Sequence, residues 1–281
     1  MNVLITGSSG FLGREVVNIL KENKYSLTFL GRKKIKKKNY IYCNLNNKNK
    51  IKFILNKLNP NVVINLAAEV EFNKKTKDMY KINSYCPNEI AKFCKKKKIH
   101  LIHASGSIVH GIKKTYTKRT KFNPINHYGK SKLKGDNLII QSNCKYTILR
   151  FGGIYGKNGP DHLGINKFIN LAMKGKDIKF NGNKKTLRNY IFVKDAAKTI
   201  LNCLKYKKYG IFYIGGEILS FESMLKKISK ILTRKNNIKF LNNREKTNHQ
   251  IVKTDKIIKN TTFIKSLRII NECDILIKKP K

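Results

Sequence analysis

The sequence predicts an α/β protein built around one doubly wound parallel sheet, with a smaller C-terminal lobe. Two observations lead to this prediction. Short apolar runs alternate with helical segments from residue 2 to about residue 150, and apolar strands separated by helices are typical of a parallel sheet covered on both faces. In addition, a glycine-rich turn follows the first apolar run directly, where a strand would pass into a helix.

The predicted elements follow one another in a regular order as far as the sixth strand. Strands are expected near 2–6, 26–30, 39–43, 61–66, 99–104 and 145–150, and helices near 11–23, 47–58, 77–97 and 124–142. Beyond Gly156 the pattern is less regular, with helices expected at 165–173, 195–204 and 220–232 and short strands at 190–193 and 210–214. We therefore expect the sheet domain to comprise 1–156 and 190–215, and the smaller lobe to comprise 157–189 and 216–281.

Length and composition suit one water-soluble unit of this kind. No apolar stretch among the 281 residues is long enough to span a bilayer, and the N-terminus leads straight into the first strand. We therefore expect neither a signal peptide nor a membrane partner. The six cysteines show no C-x-x-C pair and no Cys/His ligand spacing, which predicts reduced thiols in the cytoplasm and no metal site.

The strongly basic charge raises the question of a nucleic-acid partner. The formal net charge is +45, from 61 Lys and Arg residues against 16 Asp and Glu residues. Only eight of the basic residues are arginines, and the lysines are spread along the whole chain. Because proteins that read bases rely on arginine forks, we expect no specific nucleic-acid partner, although non-specific binding at low salt should occur.

The glycine-rich turn reads Gly7-Ser8-Ser9-Gly10-Phe11-Leu12-Gly13 and follows the apolar run Val3-Leu4-Ile5-Thr6. Glycine permits a tight turn and a close approach of the main chain to phosphates. The N-terminus of the following helix offers unpaired N–H groups and the positive end of the helix dipole. The turn is therefore predicted to hold a dinucleotide pyrophosphate, with contacts from Gly7, Ser9, Gly10, Phe11, Leu12 and Gly13.

A second motif, Tyr128-Gly129-Lys130-Ser131-Lys132, opens a predicted helix after the fifth strand. Tyr128 and Lys132 are one helical turn apart and share a face. An ammonium group beside a phenol favours the phenolate and lowers its pKa. Tyr128 is therefore a candidate general acid/base on an alcohol or ketone, and Lys132 a candidate partner of Tyr128 and of the nicotinamide ribose.

With these two motifs and others in the same order, the chain resembles the extended short-chain dehydrogenase/reductases, which include nucleotide-sugar epimerases, dehydratases and 4-keto-reductases. The other motifs are Asn65-Leu66-Ala67-Ala68, Asn83, Leu149 to Gly156, Arg188 to Asp195, and Thr254-Asp255-Lys256-Ile257. The resemblance implies a Rossmann-like fold, a nicotinamide cofactor, a nucleotide-sugar substrate in the smaller lobe, and a homodimer through the helices near 77–97 and 124–142. It also implies cofactor contacts from Asn44, Leu45, Leu66, Ala67, Ala68 and Asn83.

The residues after the second strand bear on which cofactor is used. A carboxylate there usually accepts hydrogen bonds from the adenosine ribose and selects NAD. Here the chain reads Phe29-Leu30-Gly31-Arg32, with no acidic residue and a guanidinium instead. The absence of the carboxylate favours NADP, and NAD remains possible.

The chain departs from the family at the third catalytic position. Aligning Ser105-Gly106-Ser107-Ile108-Val109-His110-Gly111 on its Val and last Gly puts Gly106 where the family has a Ser or Thr that hydrogen-bonds the reacting oxygen. Three alternatives follow: a relocated hydroxyl from Ser107 or Ser105, with Ser107 preferred; a substrate group or water in its place; or a weakened active site. His110 stands where a Tyr is common, and is either a pocket residue or a packing residue.

Arg188 is the principal substrate-binding candidate. In the resembling enzymes the arginine of this segment contacts the diphosphate of a nucleotide sugar, and a planar, permanently charged fork suits that anion. Arg244 is a second candidate. The acidic pair that dehydratases place after the catalytic Thr is absent. The expected activity is NADPH-dependent reduction of a 4-keto sugar; the alternatives are an NAD-dependent nucleotide-sugar 4-epimerase and a catalytically weak cofactor-binding module.

Overall fold

The structure is a computed structural model that describes residues 1–32, 38–70, 76–232, 238–242 and 246–278, with the main chain alone at 76, 242 and 273–278. Its strands are β1 (Asn2–Thr6), β2 (Ser26–Gly31), β3 (Tyr40–Tyr42), β4 (Val62–Asn65), β5 (His100–Gly106), β6 (Thr115–Tyr116), β7 (Lys145–Phe151), β8 (Ile154–Tyr155), β9 (Ile178–Asn181), β10 (Leu187–Arg188), β11 (Ile191–Phe192), β12 (Gly210–Ile214), β13 (Leu219–Ser220), β14 (Ile238–Asn242) and β15 (Ile251–Val252). Its α-helices are α1 (Phe11–Glu22), α2 (Lys48–Leu58), α3 (Thr76–Tyr80), α4 (Cys86–Lys97), α5 (His127–Gln141), α6 (Gly164–Met173), α7 (Val193–Lys205), α8 (Phe221–Leu232) and α9 (Phe263–Lys278).

Seven parallel strands form the central sheet, in the order β12-β7-β5-β4-β1-β2-β3. The order reverses at β1, so β1 is followed along the sheet by β2 and β3 on one side and by β4, β5 and β7 on the other. In sheets of this kind, ligands bind at the carboxyl ends of the strands beside such a reversal. The predicted fold class, a doubly wound parallel α/β sheet, is confirmed.

Helices cover both faces of the sheet, as the continuous apolar strands predict. On one face α1 and α7 pack together and bury residues such as Val16, Leu20 and Ile200. On the other face α2, α4 and α5 bury residues such as Leu55 and Ile90. A further apolar cluster joins α6, α8 and α9 in the C-terminal part of the chain.

The long helix predicted near 77–97 is interrupted by a π-helical turn at Lys81–Tyr85, between α3 and α4. Pro87 accounts for the interruption. A proline has no N–H to donate to the carbonyl four residues earlier, and its ring crowds that carbonyl, which here belongs to Asn83. The catalytic-motif helix α5 packs against this turn so closely that a Cβ on Gly135 would lie 2.2 Å from the Asn83 carbonyl oxygen. The irregular turn therefore lies beside the candidate site, as π turns often do.

In the second half of the chain, helices and short strands lie close to where the sequence predicts them, but the structure does not test the expected division into lobes. β12 pairs in parallel with β7 and so returns to the main sheet, and β11 pairs in parallel with β8. The division of the chain into 1–156 with 190–215, and 157–189 with 216–281, stays a prediction. In the part of the chain that is described, no helix has both the length and the apolar character needed to cross a bilayer.

Candidate active site

The glycine-rich turn lies at the carboxyl end of β1, beside the segment that follows β4. Gly7 has a φ of +71°, and a Cβ there would lie 2.6 Å from the main-chain nitrogen of Ala67. A Cβ on Gly13 would lie 2.1 Å from the Gly7 carbonyl oxygen. Because a Cβ would clash with main-chain atoms at Gly7 and at Gly13, glycine at these two positions allows the turn to pack against the start of α1 and against Leu66 and Ala67.

The start of α1 has the features that an anionic ligand requires. Gly10 is the N-cap residue, in an extended conformation, and no side chain caps the helix. Gly10 and Ser9 are exposed, and Phe11 and Leu12 are partly exposed. Because N–H groups in the first turn have no partner within their helix, this open end fits a pyrophosphate. The turn, Leu66 and Ala67, and the exposed Ala68 together form a cradle that would hold a dinucleotide.

Arg32 follows β2, where the adenosine half of a dinucleotide is expected. It pairs with the carboxylate of Glu69, which follows β4. Arg32 Nη1 donates to Glu69 Oε2 at 2.9 Å. The Arg32 side chain is 58% exposed, whereas that of Glu69 is 4% exposed. Asn44 is exposed and its side-chain oxygen accepts from the Asn46 N–H at 3.1 Å. The Leu45 side chain packs into the core, so its predicted cofactor contact would have to come from the main chain.

The predicted cofactor contact of Asn83 stays a prediction, and the Asn83 side chain has no exposed surface in this structure. Its amide oxygen accepts from the Glu69 N–H at 2.8 Å, and its amide nitrogen donates to the Glu69 carbonyl at 2.8 Å and to Ser131 Oγ at 3.0 Å. Asn83 therefore fixes the segment after β4 and links it to α5.

The Tyr128–Lys132 pair begins helix α5, whose first turn is capped by the Asn126 side chain accepting from the Gly129 N–H at 2.8 Å. Tyr128 is partly exposed, whereas Lys132 is 2% exposed. The i, i+4 spacing puts both on one face of the helix, and that face is turned toward the end of β5. The structure thus brings together the two residues that the motif predicted.

Lys132 is held by the end of β5. Its Nζ donates to the Ala104 carbonyl at 2.7 Å and lies 3.3 Å from His103 Nε2. Burial lowers the pKa of Lys132 to about 8, and the Asp136 carboxylate opposes that change. Burial, with Asp136 as a second cause, raises the pKa of Tyr128 to about 12. The lowering of the phenol pKa by Lys132 stays a prediction, because Lys132 is not among the causes of the shift at Tyr128.

A buried polar network lies beneath the pair, and the sequence reasoning missed it. Asp136 Oδ2 accepts from Arg150 Nε at 3.0 Å and from Ser105 Oγ at 3.0 Å, and none of the Asp136 side chain is exposed. Arg150 Nη1 in turn donates to the hydroxyl of Tyr213 at 2.7 Å. Asp136 continues the face of Tyr128 and Lys132 by a further four residues, a spacing that could have identified it.

The two serines that were candidates for the third catalytic position differ in exposure. Ser105 is buried and donates to Asp136, so the expectation that it serves the reacting oxygen conflicts with its position in the network. Ser107 begins a short 3-10 helix, Ser107–His110, and is partly exposed. A Cβ on Gly106 would meet nothing closer than Ile108 Cγ2 at 3.5 Å, so a side chain is sterically admissible there.

Of the two alternatives for His110, a pocket residue or a packing residue, the structure favours the packing residue. It has no exposed surface, its Nε2 lies 2.8 Å from the Tyr213 hydroxyl, and its ring stacks on Phe122 with the centroids 4.8 Å apart. Burial lowers its pKa. The ring supports the loop from inside, because it stacks on Phe122 and contacts the Tyr213 hydroxyl.

Arg188 lies on β10, partly exposed, over the ring of Phe221. Its Nη1 donates to the main-chain carbonyls of Leu187 and Asn248. Within the described residues no carboxylate pairs with it, so its charge is available to an anion. The other candidate, Arg244, lies outside the described residues.

Together, these elements place the uncapped start of α1, the Arg32–Glu69 pair after β2 and the Tyr128–Lys132 pair on α5 at the carboxyl edge of the sheet. A phenol that keeps its proton at neutral pH can act as a general acid on a carbonyl oxygen. Among the described side chains, no group of three or more His, Cys, Asp and Glu residues has the arrangement of a metal site.

Comparison with known proteins agrees with this geometry. A family model described as the RmlD substrate binding domain matches residues 1–221, and the chain belongs to that family, within the extended short-chain dehydrogenase/reductases. The dTDP-4-dehydrorhamnose reductase of Aggregatibacter actinomycetemcomitans is 26% identical over 231 residues, which are 76% of this chain and 73% of that protein. The reductase and epimerase relatives are enzymes.

The chain is also similar to a further curated relative and to a solved structure. The methionine adenosyltransferase 2 subunit beta of Xenopus tropicalis is 30% identical over 159 residues, which are 54% of this chain but only about half, 47%, of that protein. The structure of Thermus thermophilus UDP-glucose 4-epimerase in complex with NAD superposes with a TM-score of 0.81 at 18% identity, covering 97% of this chain and 98% of that one. At that identity the superposition shows the fold alone.

Proposed function

We propose that the protein is an NADPH-dependent reductase of a nucleotide-activated 4-keto sugar. The observation that carries the proposal is the placement of Tyr128 and Lys132 on one face of α5, with the Lys132 Nζ donating to the Ala104 carbonyl at the end of β5 at 2.7 Å. Reduction of a ketone needs a proton donor at the oxygen, and the Tyr128 hydroxyl would be that donor. The similarity to a dTDP-4-dehydrorhamnose reductase supports the same reaction class.

The cradle at the start of α1 would hold the pyrophosphate of the cofactor, and Arg32 would meet the 2′-phosphate that distinguishes NADP from NAD. When bound, the cofactor supplies a hydride to C4 of the sugar. Tyr128 would donate the proton to the C4 oxygen, and the Lys132 ammonium would stabilise the phenolate that remains. The Ala104 carbonyl, at 2.7 Å, and His103 Nε2, at 3.3 Å, position the Lys132 Nζ.

The proposal is tested by incubating the protein with NADPH and a nucleotide-activated 4-keto sugar and following NADPH absorbance. We expect NADPH to be consumed in step with the formation of the 4-hydroxy product. Turnover of a 4-hydroxy sugar into its C4 epimer, with no net consumption, would instead indicate an epimerase. If the protein binds NADPH and transforms neither substrate type, the reductase proposal fails.

Arg188 is proposed to bind the substrate diphosphate, and Arg188→Ala is expected to raise KM for the nucleotide sugar by about thirtyfold, the size of a lost charge-assisted hydrogen bond. The Kd for the cofactor should stay unchanged, because Arg188 would contact only the sugar nucleotide. Steady-state kinetics at varied substrate and a separate cofactor titration check this. Arg268→Ala, on the exposed face of α9, is the matched control, and equal KM values for the two variants would contradict the role of Arg188.

Ser107 is proposed to hydrogen-bond the reacting oxygen. In the family this role belongs to a Ser or Thr at the position that Gly106 occupies here. Ser107→Ala is expected to lower kcat by about a hundredfold, as the loss of one donor to a developing oxyanion does elsewhere. Adding Gly106→Ser to that variant should recover part of the loss, since a Cβ fits there without a close contact. A Ser107→Ala variant with wild-type kcat would show that no relocated serine serves the reaction.

A second candidate function is a cofactor-binding subunit with little catalysis of its own. Two observations favour it: Gly106 at the third catalytic position, and the 30% identity with a methionine adenosyltransferase subunit beta. The retained Tyr128–Lys132 pair counts against it, because a pure binding module has no use for a proton donor. Cofactor binding without any turnover, and with unchanged cofactor Kd in Tyr128→Phe, would identify the subunit role.

A further inference from the structure

We propose that Glu69 limits the preference of this protein for NADPH over NADH, by holding the Arg32 guanidinium that a 2′-phosphate would otherwise take. The inference rests on the proposed binding of a nicotinamide dinucleotide in the cradle, and adds a residue that sets its specificity. Glu69 follows β4, not β2, so it lies outside the segment in which a dinucleotide-selecting carboxylate is usually found.

The first step is the position of the ion pair. Arg32 comes directly after β2, at the carboxyl edge of the sheet, and β2 is the neighbour of β1 on the adenosine side of the glycine turn. Residues at this position face the 2′ position of the adenosine ribose. Glu69 Oε2 lies 2.9 Å from Arg32 Nη1, so a carboxylate and a guanidinium are both present where the two cofactors differ.

The second step is that Glu69 is fixed and Arg32 is not. Both main-chain polar groups of Glu69 are bound by the buried Asn83 amide at 2.8 Å, and Asn83 also donates to Ser131 on α5. The Glu69 side chain is almost wholly buried, whereas the Arg32 side chain is mostly exposed. A ligand can therefore reorient the guanidinium more easily than it can move the carboxylate.

The third step is the charge balance. A 2′-phosphate carries nearly two negative charges at neutral pH, and binding to Arg32 would bring it within a few ångströms of the Glu69 carboxylate. That like-charge contact offsets part of the attraction to Arg32. A ribose 2′-hydroxyl has no such conflict, because it can donate a hydrogen bond to Glu69. Glu69, which follows β4, thus supplies the carboxylate that the chain lacks after β2. Both cofactors should therefore bind.

The test is a titration of the purified full chain with NADPH and with NADH, without sugar, followed by nicotinamide fluorescence. Glu69→Gln removes the charge and leaves the main-chain bonds to Asn83 available. We expect the ratio Kd(NADH)/Kd(NADPH) to rise by about five- to tenfold, the effect of one partly buried charge interaction. Glu222→Gln, which removes a carboxylate paired with Lys226 on α8, is the matched control and should leave the ratio unchanged.

A double variant shows whether Glu69 acts through Arg32. In an Arg32→Ala background, adding Glu69→Gln should change Kd(NADH)/Kd(NADPH) by less than about twofold, because the guanidinium that both Glu69 and a 2′-phosphate would bind is absent. If Glu69→Gln folds poorly, Glu69→Asp, which withdraws the carboxylate by one methylene, should give a smaller rise in the same direction.

Two outcomes overturn the inference alone: an unchanged ratio in Glu69→Gln, or an equally large rise in the Arg32→Ala background. Both leave the proposed reductase intact, since the wild type would still bind its cofactor. If the wild type binds neither dinucleotide, the proposed function fails and this inference fails with it.

Discussion

Replacing Tyr128 by Phe is expected to lower kcat by about a hundredfold to ten-thousandfold, the usual contribution of a positioned general acid. The substitution removes only the hydroxyl that donates the proton, and the ring keeps its packing at the start of α5. The Kd for NADPH should therefore stay close to that of the wild type. Single-turnover kinetics with a 4-keto sugar, together with a cofactor titration, measure both quantities.

Tyr206→Phe is the matched control for that experiment, because Tyr206 is exposed at the end of α7. It should leave kcat and cofactor binding unchanged. If Tyr128→Phe retained a kcat within about threefold of the wild type, far less than the loss of a general acid, the proton would have to come from another group and the assignment of the site would be wrong.

Asp136→Asn is expected to lower the free energy of unfolding by about 3–5 kcal/mol, the usual cost of breaking a buried ion pair from one side. Asp136 has no exposed surface, and Arg150, its partner at 3.0 Å, is almost wholly buried. The variant leaves the Arg150 charge in the core without its carboxylate. The variant should also lower the pKa of Lys132 below about 8, because Asp136 now raises it. Urea unfolding followed by far-UV circular dichroism measures the stability change.

Two comparisons make the Asp136 result specific. Glu222→Gln breaks a solvent-accessible pair with Lys226 and should lower the free energy of unfolding far less than Asp136→Asn does. The double variant Asp136→Leu with Arg150→Met removes both charges, and should recover much of the loss, because neither charge is then buried alone. A loss below about 1 kcal/mol in Asp136→Asn would contradict the burial of this ion pair.

The local features of the fold could be predicted because their causes are local in the sequence. The strand–turn–helix from β1 to α1 follows from an apolar run, a set of glycines and an amphipathic segment, and all three are adjacent. The Tyr128–Lys132 pair needs only the helical period. The interruption between α3 and α4 was missed, although Pro87 alone identifies where the i to i−4 bonding fails.

The remaining features of the site depend on contacts between distant segments. Arg32 and Glu69 are 37 residues apart, and Asn83 and Ser131 are 48 apart. No periodicity relates such positions. The partners of His110 and Ser105, which are Tyr213 and Asp136, come from other elements of the sheet and helix layers, so the sequence could leave the roles of these two residues only as alternatives.

The most direct test of the central claim uses NADPH carrying deuterium at the transferable position of the nicotinamide. The wild-type protein is incubated with this cofactor and a nucleotide-activated 4-keto sugar, and the sugar product is analysed by mass spectrometry and NMR. A reductase must give a 4-hydroxy product with one deuterium on C4, in an amount equal to the NADPH consumed. Failure to form a deuterated product, by a protein that demonstrably binds NADPH, would contradict the claim.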